Sequence, residues 1–369
     1  MRTAIVSDLH LGSAFGEDLL RDAEIRRVLL EELASAERLV LLGDVLELRE
    51  SPLAIALECS RPFFEELGEV MAGRPVVLVP GNHDHRLAEP LLEHLALEGR
   101  PLGLEHRAEP SGDATTRIAA WLSDAELQLA YPGVHLRDDV YATHGHYMDC
   151  HMTLPRMECI AAAAVMRTLG PLPQSTAPAN YEEVLRPVYG FTFGIAQGGS
   201  ARRASRPSER AWRAMTTRNG AGSRARRAAT RTALSLAVPV SIWSINRLLR
   251  SDFEVSLSSS AISQSGIAAA QELAARMRLD TTHVITGHTH RGGPWQSDPA
   301  WELANGGKLH NTGSWVFASA FHHPGTPPGP YWPGTVTWLD DGGPPQRTRL
   351  LTEHHRDELR GIVAHLAVA

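Results

Sequence analysis

The sequence predicts an α/β fold with a helical segment inserted into it. Short apolar strands alternate with helical segments through residues 1–150, the alternation stops between 151 and 270, and strands return after 271. The chain has 369 residues, which is enough for two domains or for one domain with a large insertion. We therefore predict an α/β body formed by 1–150 and 271–369, with a helical Arg-rich cap at 151–270.

Four strands are predicted in the first 150 residues, and polar residues follow each of them at once. Open α/β sheets bind their ligands at the carboxyl ends of strands, so we expect a site at these positions. Helical spacing separates the first strands. The predicted strands are Thr3–Ser7, Arg38–Leu42, Pro75–Val79 and Val140–Thr143, and the predicted helices are Leu19–Leu33 and Pro62–Met71.

The remaining elements divide into a helical middle and a returning sheet. Gly170–Asn180 carries three prolines and is predicted to be a linker, and Thr232–Ile245 is apolar but broken by Pro239. The predicted helices are Ala161–Thr168, Ala201–Arg231, Ala261–Met277 and a closing Arg347–Ala369. The predicted strands are His283–Thr286, Leu309–Asn311 and Gly334–Leu339.

Composition excludes several classes of protein. Hydrophobic residues make up 43% and charged residues 21%, as in ordinary globular proteins. No apolar run approaches the ~18 residues of a membrane-spanning helix. The three cysteines are odd in number and do not make a disulfide framework. The first residues contain no apolar segment long enough for a signal peptide, so we expect a cytoplasmic protein.

The residues that end the strands share one chemistry, since all are Asp, Asn or His. Oxygen and imidazole ligands suit Mn²⁺, Fe and Zn²⁺, and the absence of cysteine argues against a closed structural zinc site. The motifs are Asp8-Leu9-His10, Gly43-Asp44, Gly81-Asn82-His83-Asp84, His144-Gly145-His146 and Gly287-His288-Thr289-His290.

Seven candidate ligands are more than one ion needs beside open positions for a substrate. Two ions that share a carboxylate solve this problem, and ions ~3.5–4 Å apart can clamp a phosphate and turn a bridging water into hydroxide. The sequence therefore predicts a dinuclear metal-dependent phosphohydrolase. Its candidate ligands are Asp8, His10, Asp44, Asn82, His144, His288 and His290.

These five motifs, in this order, resemble those of the calcineurin-like metallophosphoesterases, and the resemblance covers the predicted α/β body. It implies a four-layer α/β/β/α sandwich, two divalent metal ions (Mn, with Fe or Zn as alternatives), and attack on phosphorus by a metal-bridging hydroxide. It also assigns Asp8, His10 and His290 to the first metal, Asn82, His144 and His288 to the second, and Asp44 to a bridge between them.

The resemblance also implies roles beside the metals. His83 would protonate the leaving group, with Asp84 orienting its imidazole. Asn82 would hold phosphate oxygens. We expect Arg291 either to contact the substrate phosphate or to form a surface ion pair. We place His146 behind the ligands and expect Glu47 to support the Asp44 loop. The corresponding residues are His83, Asp84, Asn82, Arg291, His146 and Glu47.

Four segments are similar to the UDP-2,3-diacylglucosamine diphosphatase branch: Ser7–Gly12, Gly43–Glu47, Gly287–Arg291 and Asn311–Trp315. That similarity implies hydrolysis of a pyrophosphate in a nucleotide-linked lipid sugar at a membrane surface. The best-known members have Arg at the position of His83, and their cap is shorter. The alternatives are a phosphodiesterase acting on cyclic nucleotides or nucleic acid, and a non-enzymatic membrane or nucleic-acid adaptor built on a phosphoesterase scaffold.

The cap is strongly basic although the chain carries a net charge of −6. Residues 201–250 contain twelve arginines and a single acid, Glu209. Three interpretations remain open: a solvated helical cap, a surface for anionic membrane anchored by Trp243, and a nucleic-acid surface. The second predicts peripheral contact with the inner face of the membrane.

Overall fold

The structure is a computed structural model that describes residues 1–198, 241–254, 259–295, 298, 301–319, 322 and 328–368. The predicted helix Ala201–Arg231 lies outside the described residues, as does most of the apolar stretch 232–245. Of the twelve arginines in 201–250, the described residues include Arg247 and Arg250.

The described residues form ten strands in one sheet, which confirms the predicted α/β class. The sheet order is β10-β9-β1-β2-β3-β5-β6-β7-β8, and β4 pairs with β5. All seven predicted strands are present, with ends within one residue of the prediction. The strands are β1 Thr3–Val6, β2 Arg38–Leu42, β3 Pro75–Val79, β4 Glu105–Ala108, β5 Glu126–Arg137, β6 Val140–Thr143, β7 His283–Thr286, β8 Lys308–Asn311, β9 Thr335–Leu339 and β10 Gln346–Arg349.

The long strand β5 belongs to both halves of this sheet. Its first residues pair in parallel with β3, and its last residues pair antiparallel with β6. The sheet therefore curls, and the inward-facing residues of its two halves form one buried cluster that includes Ile5, Val40 and Ile285. Alternate residues of the same strands, such as Ala4 and Leu39, face the opposite way and pack against helices.

Helices cover both outer faces of the curled sheet, which is consistent with the predicted four-layer sandwich. α1, α2, α4 and α8 pack on the half that contains β1, while α5, α6 and α7 pack on the half that contains β6. The helices are α1 Ala23–Leu33, α2 Leu53–Val70, α3 Glu89–Leu97, α4 Asp113–Leu122, α5 Met157–Leu169, α6 Pro178–Gln197, α7 Ser259–Arg276 and α8 Arg356–Leu366. Residues 241–249 are also helical.

Several helix boundaries differ from the sequence prediction; α5, for example, begins at Met157 and not at Ala161. The helix expected from Leu19 begins as a 3-10 turn and becomes α1 only after Asp22, which caps it by accepting from the amides of Glu24 and Ile25. α2 starts at Leu53 and continues through Pro62, because buried residues before and after the proline pack on the sheet. α6 starts at Pro178, inside the predicted linker, since proline is tolerated in the first turn.

The prediction of one closing helix over Arg347–Ala369 is wrong in its first part. Gln346–Arg349 forms β10, which extends the sheet by pairing antiparallel with β9, and the helix begins only at Arg356. Because Arg347, Thr348 and Arg349 are all polar, this segment has no apolar alternation that would predict a strand. Its pairing with β9 identifies it as one. Among the described residues, no helix combines the length and apolarity that a membrane crossing requires.

Candidate metal centre

The predicted ligands follow β1, β2, β3, β6 and β7, and five of them have an unusual backbone. Positive φ angles occur at Asp8 (54°), His10 (48°), Asp44 (52°), His288 (67°) and His290 (58°). Among the described residues only three other non-glycine positions share this left-handed conformation. Side chains adopt it at an energetic cost, so packing holds these turns in a strained shape that aims the side chains at one point.

The first group of ligand atoms comes from β1 and β7. His290 Nε2 lies 3.2 Å from Asp8 Oδ1 and 3.1 Å from His10 Nε2. The other Asp8 oxygen accepts a hydrogen bond from the backbone amide of His288 at 3.1 Å, which turns Oδ1 toward the two imidazoles. The three ligand atoms all lie within 4.8 Å of one another, as the three ligands of one cation do.

The second group is formed by Asp44, His144 and His288, again within 4.8 Å. His144 Nε2 is 3.1 Å from Asp44 Oδ2, and His10 Nε2 from the first group is 3.7 Å from the same oxygen. Asp44 therefore lies between the two groups. Asn82 contacts the second group as well, so the structure brings all seven predicted ligands together.

The Asn82 carboxamide tests whether a cation fits here. One of its two terminal atoms lies 3.0 Å from His288 Nδ1 and 3.3 Å from both Asp44 Oδ2 and His144 Nε2, and the other lies 2.9 Å from Arg49 Nη1. With Nδ2 turned inward, the amide donates hydrogen bonds to this ring of acceptors. With Oδ1 turned inward, four lone-pair atoms converge with no proton between them, which is the donor set of a divalent ion. The residues fit a metal.

Hydrogen bonds behind the imidazoles select the nitrogen that faces the centre. His144 Nδ1 donates to the carbonyl oxygen of Leu42 at 2.9 Å, and His288 Nε2 donates to Asp149 Oδ1 at 2.9 Å. His10 Nδ1 lies 2.8 Å from Glu47 Oε2. Each bond occupies one ring nitrogen, so the other is left as a metal ligand.

The electrostatics of the centre favour positive charge. Burial lowers the pKa of His144, but Asp44 outweighs burial and raises it to about 9. Burial likewise opposes protonation of His10, whereas Glu47 and Asp44 raise the pKa of that imidazole to about 10. Burial raises the pKa of Asp44, yet His144 and His83 hold it well below its usual range. Without a cation, protons on histidine balance the carboxylates, and metal binding would displace them.

Residues 1–158 match the model of the calcineurin-like phosphoesterase superfamily domain. The matched segment contains β1 to β6 and supplies five of the seven predicted ligands; His288 and His290 lie beyond it and join through β7. The match supports the superfamily predicted from the motifs and indicates a metal-dependent phosphoester hydrolase. A comparison with curated proteins finds no match to the chain.

One pairing predicted from the resemblance is wrong. Asp84 does not orient His83, because its carboxylate accepts from the backbone amides of Gly81 at 2.7 Å and Val45 at 2.8 Å. The carboxylate that contacts the His83 ring belongs to Glu47, with Oε2 2.6 Å from Nδ1. Asp84 therefore ties the β2 and β3 turns together, and Glu47, expected only to support a loop, orients two imidazoles.

Two further residues of the predicted site have partners away from the candidate ligands. Both terminal nitrogens of Arg291 donate to Asp298, at 2.8 and 2.9 Å; the structure shows an ion pair, but a largely buried one and not the expected surface pair. His146 Nε2 lies 3.1 Å from the Tyr131 hydroxyl, and its ring centroid is 5.8 Å from that of His144. His146 thus lies behind a ligand, as expected.

Sequence reasoning missed Asp149 and Arg49. Asp149 lies in the short helical turn His146–Cys150, is 1% exposed, and holds His288. Its only sequence signal is a lone acid in an otherwise apolar stretch after the His144 motif. Arg49 lies within the loop between β2 and α2, and nothing in the local sequence shows that it turns back toward Asn82 and His83.

Proposed function

We propose that this chain is a dinuclear metal-dependent phosphohydrolase that cleaves a phosphoester or diphosphate bond. The observation that carries the proposal is the pair of ligand groups that meet at Asp44; a third combination of possible ligands, His10, Asp44 and His83, overlaps both of them. Asp8, His10 and His290 would hold one ion, and Asn82, His144 and His288 the other. When bound, such ions act as Lewis acids on phosphoryl oxygens and lower the pKa of a water between them.

His83 lies beside these groups as the proposed proton donor. Its side chain is 19% exposed, whereas that of Asp44 is 2% exposed, and its Nε2 is 4.0 Å from Asp44 Oδ2. Glu47 accepts from Nδ1, so Nε2, which lies 3.3 Å from the Arg49 Nη1 donor and accepts from it in this structure, is the atom that would take up a proton and hold it for the leaving oxygen. Burial lowers the pKa of His83 despite Glu47 and Asp44, so a lower pH is needed to protonate this imidazole than a free one.

We propose a nucleotide-linked or lipid-linked diphosphate as the substrate, supported by the four segments similar to the diacylglucosamine diphosphatase branch. A phosphodiesterase acting on cyclic nucleotides or nucleic acid is the alternative. Purified protein with Mn²⁺ would receive a nucleotide-diphosphate lipid sugar, a cyclic nucleotide, an unstrained diester and a monoester together, with Asp44→Asn as the blank. Phosphorus NMR would follow each signal.

Selective loss of the diphosphate signal is the expected result. Earlier loss of the diester or cyclic nucleotide would favour the phosphodiesterase alternative. Equal spectra for the wild type and Asp44→Asn, in protein that retains Mn²⁺, would contradict hydrolysis and favour the non-enzymatic adaptor.

We also propose that the cap contacts anionic membrane from one side. In the helical residues 241–249, Trp243 is 62% and Leu248 72% exposed, and the Arg247 guanidinium lies 5.8 Å from the Trp243 ring. Exposed apolar side chains with arginine between them suit the interface of a negatively charged bilayer.

Flotation with anionic and neutral vesicles tests this contact. Trp243→Ser is expected to reduce binding to anionic vesicles, whereas Leu97→Ser, a change at a residue 89% exposed on the body, is not. Equal binding to neutral vesicles would contradict the proposal. Retention on nucleic acid at low salt, with no vesicle binding, would favour the nucleic-acid alternative.

A further inference from the structure

Arg49 links the candidate metal centre to the cap. Its Nη1 lies 3.3 Å from His83 Nε2 and 2.9 Å from the outer terminal atom of the Asn82 amide. Its Nη2 donates to Oε1 of Glu158, in the first turn of α5. One guanidinium thus touches the residue proposed to hold phosphate oxygens, the residue proposed to protonate the leaving group, and the first cap helix.

The donors of Arg49 are not all occupied. The side chain is 14% exposed, and its buried Nε meets no acceptor within the described parts of the chain. Its Nη1 faces an imidazole and an amide, neither of which carries a full negative charge. A guanidinium has five N–H donors in a planar fork that matches the oxygens of a phosphate, so an anionic ligand would satisfy donors that the protein leaves open.

Glu158 has the geometry of a holder for this arginine. Its carboxylate is 11% exposed, one oxygen accepts from Arg49, and the other lies 3.9 Å from Arg156 Nε. Because Glu158 belongs to α5 and Arg49 to the Asp44 loop, the ion pair crosses from the cap to the body. The position of the guanidinium therefore depends on how the cap packs.

We propose that Arg49 is a substrate-binding residue that donates to the oxygens of the phosphoryl group beside Asn82 and His83, and that Glu158 is its positioning residue. This inference rests on the proposed phosphohydrolase function, because the phosphoryl group is a substrate only if that function holds. Its ligand class, a phosphate oxyanion, can be tested without turnover. A substrate bound in this way would be connected to the cap through the ion pair between Arg49 and Glu158 of α5.

Titration calorimetry of inorganic phosphate into the full-length, Mn²⁺-loaded protein tests the arginine. Arg49→Ala is expected to weaken phosphate binding about 10- to 100-fold, as loss of a charge-assisted hydrogen bond does, with unchanged bound Mn²⁺ by elemental analysis. Arg49→Lys keeps the positive charge but loses the planar fork of donors. Its phosphate affinity is expected to lie between those of the wild type and Arg49→Ala. The matched control is Arg167→Ala, which removes an exposed arginine from α5, the helix that carries Glu158.

Chemical rescue separates binding from a structural role. Low millimolar guanidinium is expected to restore part of the phosphate affinity of Arg49→Ala, and a merely misfolded variant would not respond. Wild-type phosphate affinity in Arg49→Ala with retained Mn²⁺, or no phosphate binding by the wild type, would overturn the inference.

A double-mutant cycle tests the positioning role. Glu158→Gln alone is expected to weaken phosphate binding by less than Arg49→Ala, and to have no further effect in the Arg49→Ala background. Additive losses would show that Glu158 acts independently of Arg49. Glu183→Gln, an exposed acid on α6, is the control.

The two proposals fail in distinguishable ways. Phosphate binding that depends on Arg49 without hydrolysis of any substrate would contradict the proposed function and leave the anion site standing. If the protein hydrolyses a substrate but its phosphate affinity does not depend on Arg49, only the inference about Arg49 is overturned.

Discussion

The Asp149 carboxylate accepts a hydrogen bond from Nε2 of His288 at 2.9 Å. His288 therefore presents Nδ1 to the centre, 3.0 Å from the inner atom of the Asn82 amide. A buried acid behind a histidine fixes the tautomer, holds the ring, and increases the basicity of the nitrogen that binds the ion. Because Asp149 belongs to the turn that leads into the cap, we expect metal binding to depend on a residue outside the strand-end motifs.

Asp149→Asn is expected to weaken binding of one of the two ions by about 10- to 100-fold. The amide keeps the size of the side chain but removes the negative charge behind His288. Metal titration of the chelated protein, followed by elemental analysis, would measure the loss. Asp124→Asn, at an exposed position, is the control. Two fully retained ions in Asp149→Asn would contradict the role.

Glu47→Gln is expected to lower both metal affinity and activity. Glu47 Oε2 lies 2.8 Å from His10 Nδ1 and 2.6 Å from His83 Nδ1, so one oxygen orients a ligand and the proposed proton donor. We expect a loss of about 10- to 100-fold in affinity for the ion held by His10. Activity at saturating Mn²⁺ should stay reduced, because the His83 defect persists. Full recovery of activity at high Mn²⁺ would show that Glu47 supports metal binding only and does not act through His83.

His83→Ala is expected to slow substrates with poor leaving groups most. A general acid contributes about 10²- to 10⁴-fold where the leaving oxygen must be protonated, and little where it is already a good leaving group. Because burial lowers the pKa of His83, the wild-type advantage should increase as the pH falls toward that value. A series of aryl phosphate esters of graded leaving-group pKa would measure this. An equal loss across the series would contradict the acid role.

The stability of the protein is expected to depend on pH through His85. Its Nε2 lies 3.0 Å from Glu182 Oε2 on α6; burial opposes protonation, but Glu182 and Glu89 raise the pKa of His85 to about 9. Because the folded pKa lies above the unfolded value of ~6.5, the stabilisation is complete below pH 6.5. It is lost as the pH rises through about 9.

Denaturant unfolding at pH 6.5 and at pH 9.5 would measure this contribution. His85→Asn should remove about 2–3 kcal/mol of the free energy of unfolding at the lower pH and much less at the higher pH. His94→Asn, an exposed histidine paired with Glu98, is the control for general titration. An equal effect of His85→Asn at both pH values would show that the His85–Glu182 contact is not an ion pair.

The strand-end motifs could be predicted because both signals are local. A short continuous apolar run such as Ala4-Ile5-Val6 is typical of a strand buried on both faces, and the polar residues after it lie at its carboxyl end. Parallel neighbours then bring those ends to one edge of the sheet. Asp8, Asp44 and His288 lie together for this reason. Each of these positions can be predicted from its neighbours in the sequence.

The partners of these residues depended on tertiary structure. Glu47, not the sequence neighbour Asp84, reaches His83, because the positive φ at Asp44 and the bonds of Asp84 to the Gly81 and Val45 amides fold the β2 loop back over β3. Arg49 finds Glu158 more than a hundred residues away. Such contacts follow from how a curled sheet and a packed cap place distant segments. Spacing along the chain determined the candidate ligands, and three-dimensional packing decided which groups hold them in place.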